Sequence, residues 1–235
     1  MIEAIPDRRA AGRGRLRAMT LAMLPLLSSG LAAPAPCIAE NLVATVRNEQ
    51  GEPVQNAVVY AWPLNAEGNR LWRPDRIEID QINKEFVPYV TAIPVGSNVS
   101  FPNRDQIRHH VYSFSTAKTF EIPLYKGTPA ESVHFNQPGE VVLGCNIHDW
   151  MKAYVFVSET PYFGVTDRDG LARIDLPAGD YRVEVWHPEL KGGSELTAVR
   201  HRIATREDSE LSFSIEQKRV WTPRRAPSIS DPGYR

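Results

Sequence analysis

Short apolar stretches with period-2 alternation recur through most of this chain, and nowhere do the apolar positions settle into the 3.6-residue period of a helix. "NLVATVRNEQGEPVQNAVVYAWPL" predicts two strands around a turn at 49–53, with alternation at Val43, Thr45 and Arg47 and a buried-looking run at 57–61. After a polar stretch at 65–76, "IEIDQINKEFVPYVTAIPVGSNVSFPNRD" predicts further strands with a turn at 94–97, and "HHVYSFS" predicts another. "SVHFNQPGEVVLGC" reads as two short strands parted by Pro138 and Gly139, and "MKAYVFVSE" as one near-continuous apolar strand. "FGVTDRDGLARIDLPAGDYRVEVWHPEL" predicts three strands with turns at 167–170 and 177–180, and "SELSFSI" closes the series. The expected fold is all-β, built as a β-sandwich.

Composition agrees with this pattern. The chain has 235 residues, enough for one or two domains with cores of their own, and 19 prolines and 15 glycines punctuate the apolar runs. At the N-terminus, Arg8, Arg9, Arg13, Arg15 and Arg17 precede "AMTLAMLPLLSSGLAAPA", an apolar run broken by Pro25, Ser28, Ser29 and Gly30. Residues 1–39 therefore read as a signal peptide cut after Ala39. That implies export to the periplasm, with no stable membrane insertion after cleavage. The cut would remove Cys37 and leave Cys145 without a partner for an internal disulfide. The other end, "QKRVWTPRRAPSISDPGYR" (217–235), is Pro-rich, basic and aperiodic, and reads as a disordered tail.

Charge excludes one class of partner. Of 27 basic and 28 acidic residues, five and two fall in 1–39 and five and one in 217–235. Residues 40–216 thus carry 17 basic and 25 acidic groups, a net charge of −8, which argues against nucleic acid and for a basic partner.

The candidate chemistry lies in "VVLGCNIHDWMKAYVFV", residues 141–157, where Cys145, His148 and Met151 stand three apart on a loop between two strands. A lone buried cysteine is commonly a small hydrophobe, and a lone methionine is commonly core. Together, however, thiolate, imidazole and thioether match an electron-transfer copper site, which takes two imidazoles and one thiolate in a plane with a long axial methionine. The missing imidazole is expected from a neighbouring strand end, where "FPNRDQIRHHVYSFS" places His109 and His110. Successive strand residues point to opposite faces, so one of these two aims at Cys145. His134, His187 and His201 form no second ligand set in the sequence, whereas a multicopper enzyme needs further histidine clusters.

With these residues in view, segment 77–159 resembles the cupredoxins, the small blue copper proteins of plastocyanin and amicyanin type. "VGSNVSFPNRDQIRHHV" is similar to the strand, loop and first ligand of that family, and "QPGEVVLGCNIHDWM" to its last strand and ligand loop. The Cys-to-Met spacing matches the shorter amicyanin pattern, and the segment also resembles plastocyanin-like proteins of methylamine-utilisation clusters. The resemblance implies one type 1 copper ion held by His109, Cys145, His148 and Met151. Counted from Asn103, the family's spacing selects His109, leaving His110 where the family usually has an Asn that tethers the ligand loop. Asp149 stands where the family often has Pro. The flanks, 40–76 and 160–216, resemble a carboxypeptidase-regulatory or transthyretin-like sandwich, so a discontinuous outer sandwich hosting the copper segment is expected.

Three functions follow as expectations. One is a non-enzymatic periplasmic carrier of single electrons, exchanging with a basic cytochrome or a periplasmic dehydrogenase. Another is a copper-binding accessory or interaction protein without shuttle activity. The third is a cysteine-dependent enzyme built on Cys145, His148 and Asp149, which would need nucleophile, base and orienting group in hydrogen-bond contact.

Overall fold

The computed structural model describes residues 40–65, 77–204 and 208–218. The expected signal peptide (1–39), most of the polar stretch (66–76) and the basic tail from residue 219 lie outside the described residues. In chain order the strands are β1 (Glu40–Asn48), β2 (Val58–Pro63), β3 (Ile77–Glu78), β4 (Asp80–Ile82), β5 (Glu85–Val87), β6 (Val90–Pro94), β7 (Ser97–Ser100), β8 (His109–Ser115) and β9 (Lys118–Tyr125). They continue as β10 (Val133–Phe135), β11 (Gly139–Gly144), β12 (Lys152–Ser158), β13 (Phe163–Val165), β14 (Leu171–Leu176), β15 (Gly179–Trp186), β16 (Val199–Ile203) and β17 (Ser209–Ile215). A 3-10 turn spans Ser194–Thr197, and the described residues contain no α-helix. The fold is all-β.

Two sheets, β14-β1-β17 and β13-β2-β15-β16, enclose a core that includes Leu42, Ala44, Val46, Val59, Ala61, Ile174, Val183 and Phe213. On β1 the core takes Leu42, Ala44 and Val46, so Val43, Thr45 and Arg47 form the outward row of the expected alternation. A second pair of sheets, β10-β7-β3 and β6-β12-β11-β8-β9, encloses Ile79, Phe101, Val111, Phe135, Val141, Leu143, Val155 and, at one end, Cys145 and Met151. Parallel pairing of β6 with β12 places the first strand of the five-stranded sheet, in chain order, beside the strand at which the chain leaves this sandwich.

The outer faces of β2, β15, β6 and β12 meet in a seam of Val58, Tyr60, Val90, Tyr154, Phe156 and Trp186. Strands buried on both faces cannot show alternation, and this is why 57–61 and the 152–158 strand read as continuous apolar runs. Within the seam, the buried Tyr60 hydroxyl donates to Glu184 at 2.7 Å and also meets Ser194 Oγ at 2.6 Å, while Arg182 pairs with Glu184 at 3.0 Å, so these polar groups among the aromatics are satisfied.

Two strands were not evident from the sequence pattern. β9 contains Pro123 and buries little, yet it pairs along β8 as the edge of the five-stranded sheet, where a missing N–H is tolerated. β16 carries exposed Arg200 and Arg202 on the opposite sandwich's edge, a charged edge that discourages further pairing. At the start of the expected tail, Gln217 bridges to Leu190 and the Lys218 N–H donates to the Glu189 carbonyl at 2.7 Å, so these two residues are anchored.

Candidate metal centre

The hairpin of β11 and β12 sets the ligand loop. Gly144 and Lys152 are cross-strand partners, so 145–151 must turn back within seven residues, and the Met151 N–H donates to the His148 carbonyl at 2.9 Å inside it. Cys145 and Met151, at the loop's two ends, tuck into the core with 4% and 1% of their surface exposed. His148 sits half-buried between them, while Asn146, Ile147 and Asp149 face solvent.

β8 supplies the second imidazole. It lies beside β11, with Tyr112 opposite Gly144, and His109 at its start is fully buried. Pairing with β9 is in register at His109 and again from Val111, with an irregularity between them. This bulge breaks strict alternation, so His109, His110 and Val111 are all buried in succession.

One ligand atom from each of His109, Cys145 and His148 lies within 4.8 Å of the other two. The imidazoles of His109 and His148 are 5.1 Å apart between centroids and tilted by 58°, and Trp150 covers His148 at a similar centroid distance of 5.1 Å. Nδ1 of His109 and Nδ1 of His148 are buried and have no hydrogen-bond partner. Leaving a buried polar atom unpaired costs roughly 1–3 kcal/mol. Two such nitrogens beside a buried thiol fit a metal ion that all three would ligate, and the N₂S donor set with a buried thioether in the same loop suits copper. Among the described residues this is the one grouping of His, Cys, Asp and Glu that could hold a metal.

The surroundings orient the candidate ligands. His109 Nε2 is 2.7 Å from Asp105 Oδ2, and the Asp105 carboxylate also accepts the backbone N–H groups of Asn83 (2.7 Å) and Lys84 (2.8 Å). Burial opposes ionisation of Asp105, but the Lys84 N–H, the His109 ring and the Asn83 N–H together hold its pKa below the ordinary carboxylate value. Burial, His109 and Lys84 lower the pKa of His148 against a smaller upward pull from Asp105, which favours a neutral imidazole able to ligate.

His110 does not take the tethering role expected of it. Its Nε2 meets Glu121 Oε1 on β9 at 2.8 Å and its ring packs against Tyr112, because the bulge turns it toward the edge strand rather than toward 145–151. Asp149 is exposed and stands outside the His–Cys cluster, so Cys145, His148 and Asp149 do not assemble a nucleophile, base and orienting group. His134 meets Asn98 at 3.2 Å, His201 meets Ser209 at 2.6 Å, and His187 is buried in the other sandwich; none joins the centre. Asp105 was missed by the sequence reading, although its position four residues before His109 was a usable signal.

No family model matches the chain, and no curated protein sequence matches it. Among solved structures, it is similar to a copper-containing nitrite reductase from Thermus scotoductus SA-01, at 26% identity and a TM-score of 0.35 over 42% of this chain. That likeness spans about a quarter of the nitrite reductase, 26% of its length. A purple cupredoxin from Nitrosopumilus maritimus matches at 23% identity and a TM-score of 0.32, over 35% of this chain and 99% of that one. The reduced Cu(I) form of a single-site mutant of amicyanin matches at 21% identity and a TM-score of 0.33, over 42% of this chain and 99% of that one.

Proposed function

We propose that this chain is a periplasmic carrier of single electrons that holds one copper ion with His109, Cys145, His148 and Met151, and that it is not itself an enzyme. The observation that carries this reading is that one ligand atom from each of His109, Cys145 and His148 lies within 4.8 Å of the other two, in imidazoles whose Nδ1 atoms are buried and unpaired. Copper in such a donor set supplies a one-electron couple. The protein's part is to keep the ligands still. His109 and Cys145 stand at the ends of paired strands, and Met151 is locked into the core directly before β12, so little has to move when the charge changes. His148 is the least buried of the four and lies between Ile147 and Asp149, which makes its edge the shortest path to a partner. The partner we infer is a basic redox protein, either a cytochrome or a dehydrogenase, drawn by the −8 charge of residues 40–216.

The test is the visible spectrum of the purified chain loaded with Cu(II), followed by a redox titration. A strong thiolate-to-copper band and a reversible one-electron couple are expected. A colourless Cu(II)-loaded protein with a titratable free thiol would refute the copper ligation. A coloured protein that cannot be cycled would leave only an accessory, copper-holding role.

A further inference from the structure

The four proposed ligands account for neither Asp105 nor the strained turn that grips it. β4 and β5 are joined by the two-residue turn Asn83-Lys84, and both residues are left-handed, with φ of 55° and 61°. Such a turn fits a tight hairpin, but Lys is an unfavourable occupant, since a left-handed backbone costs an L-residue with a side chain roughly 1–2 kcal/mol. What that conformation achieves is visible: two successive N–H groups point at the two oxygens of one carboxylate, Asn83 to Oδ1 and Lys84 to Oδ2. The loop bearing the carboxylate is shaped from the other side. Buried Asn103 accepts the Asp105 N–H through Oδ1 (3.0 Å) and donates through Nδ2 to the carbonyls of Ile107 (2.9 Å) and Tyr125 (2.8 Å). Asp105 is thus clamped by backbone and side-chain groups from two directions, with its Oδ2 2.7 Å from a fully buried imidazole nitrogen.

We propose that Asp105 is the positioning residue of the centre. Held by the 83–84 turn, its carboxylate fixes His109 as the Nε2–H tautomer, presents the Nδ1 lone pair beside Cys145, and strengthens that nitrogen as a donor so that the oxidised metal is favoured. The inference rests on the metal reading above. A carboxylate behind a ligating imidazole sets both the ring's tautomer and its basicity, and removing such a partner weakens metal affinity about 10–100-fold. Because the carboxylate is anionic, its loss weighs more on the doubly charged ion than on the singly charged one, and the reduction potential should rise.

The experiment compares the full-length wild type with Asp105→Asn and with Arg104→Ala. Arg104 braces the same loop to Asp80 at 2.9 Å without contacting His109, so its loss loosens the loop, while the cation it removes can only lower the potential, the opposite sense to Asp105→Asn. Asp105→Asn is expected to keep the thiolate band, to lose about tenfold or more in Cu(II) affinity relative to Cu(I), and to gain about 59 mV in potential for each tenfold of that difference. Arg104→Ala is expected to lose stability without any rise in potential. An unchanged potential in Asp105→Asn, or equal shifts in both variants, makes Asp105 a loop staple and overturns the proposal. If Asp105→Asn does not fold, side-chain ¹⁵N spectra of the metal-free wild type decide: His109 protonated at Nε2 supports the proposal, and protonation at Nδ1 overturns it. If the wild type gives no blue band with Cu(II), the electron-carrier reading fails separately. Co(II) affinity of the same variants then tests Asp105, with an unchanged affinity in Asp105→Asn counting against it.

Discussion

His109 and His148 come from sequence positions 39 residues apart, yet their rings stand 5.1 Å apart with both Nδ1 atoms buried and unpaired. The metal-free centre is therefore locally destabilised. Loading with Cu(II) should raise the unfolding temperature, by a free energy of RT ln(1 + [L]/Kd), or about 4 kcal/mol at a thousandfold excess over Kd. A chelator should reverse the gain. His109→Ala should abolish the thiolate band, and His110→Asn, which alters the contacts to Glu121 and Tyr112, should preserve it. The reverse pattern in absorption spectra would move the ligand to His110.

Met151→Leu conserves volume at a site with 1% exposure, so the stability cost should stay under about 1.5 kcal/mol. Copper should be retained and the reduction potential raised, because the axial group tunes that potential. Cyclic voltammetry checks it, and an unchanged potential would mean that Met151 is only core.

Gly144 precedes the proposed ligand Cys145 and lies under the ring of Tyr112. A Cβ there would fall 2.7 Å from Tyr112 Cζ. Gly144→Ala should cost about 1–3 kcal/mol through displacement of that ring. In a Tyr112→Ala background the same substitution should cost little, and chemical denaturation of the four proteins measures the coupling. Equal costs in both backgrounds would place the penalty elsewhere.

His187 lies far from the centre in sequence and fold, and burial pushes its pKa down to about 4, against a weaker opposing hydrogen bond with the Gln55 backbone. Above pH 6.5 the ring is neutral in both folded and unfolded chains, and its contribution is constant. As the pH falls from 6.5 toward 4, the unfolded chain takes up the proton first, so stability drops, by on the order of 3 kcal/mol once both values are passed. His187→Asn can keep an acceptor for the Glu189 N–H now bound to Nδ1 at 3.1 Å but cannot titrate. Urea midpoints at about pH 7.5, above that window, and at about pH 4.5, most of the way through it, should therefore diverge less in this variant than in the wild type.

Asp149 is exposed beside the proposed exit ligand. Electron transfer to a basic cytochrome should slow as salt is added, and Asp149→Asn should slow it at low salt. Stopped-flow traces insensitive to both changes would remove the electrostatic steering.

Much of the fold was legible because alternation is a local signal. Leu42, Ala44 and Val46 against Val43, Thr45 and Arg47 define a strand with one buried face wherever its partners lie. β9 escaped notice because an edge strand that buries little and contains Pro123 has no such signature, and only pairing with β8 makes it a strand. The continuous runs on β2 and β12 announced burial but not its source, since a seam between two sandwiches is written in no single segment.

The sequence by itself determined the chemistry on one loop: with β11 and β12 paired, three-residue spacing keeps Cys145, His148 and Met151 together because the chain has no length to separate them. Which histidine joins them was not written in the alternation: the spacing from Asn103 selected His109 only through the family resemblance, and the tertiary structure supplies the physical reason. Strict alternation left His109 and His110 as equals, and the β8 bulge, a product of cross-strand pairing with β9, turned one toward Cys145 and the other toward Glu121. It also decided the partner behind His109, because Asp105 is aimed by a hairpin turn more than twenty residues upstream. Local spacing limits what a short loop can reach; the distant contacts depend on how separate strands pack, which no periodicity along the chain records.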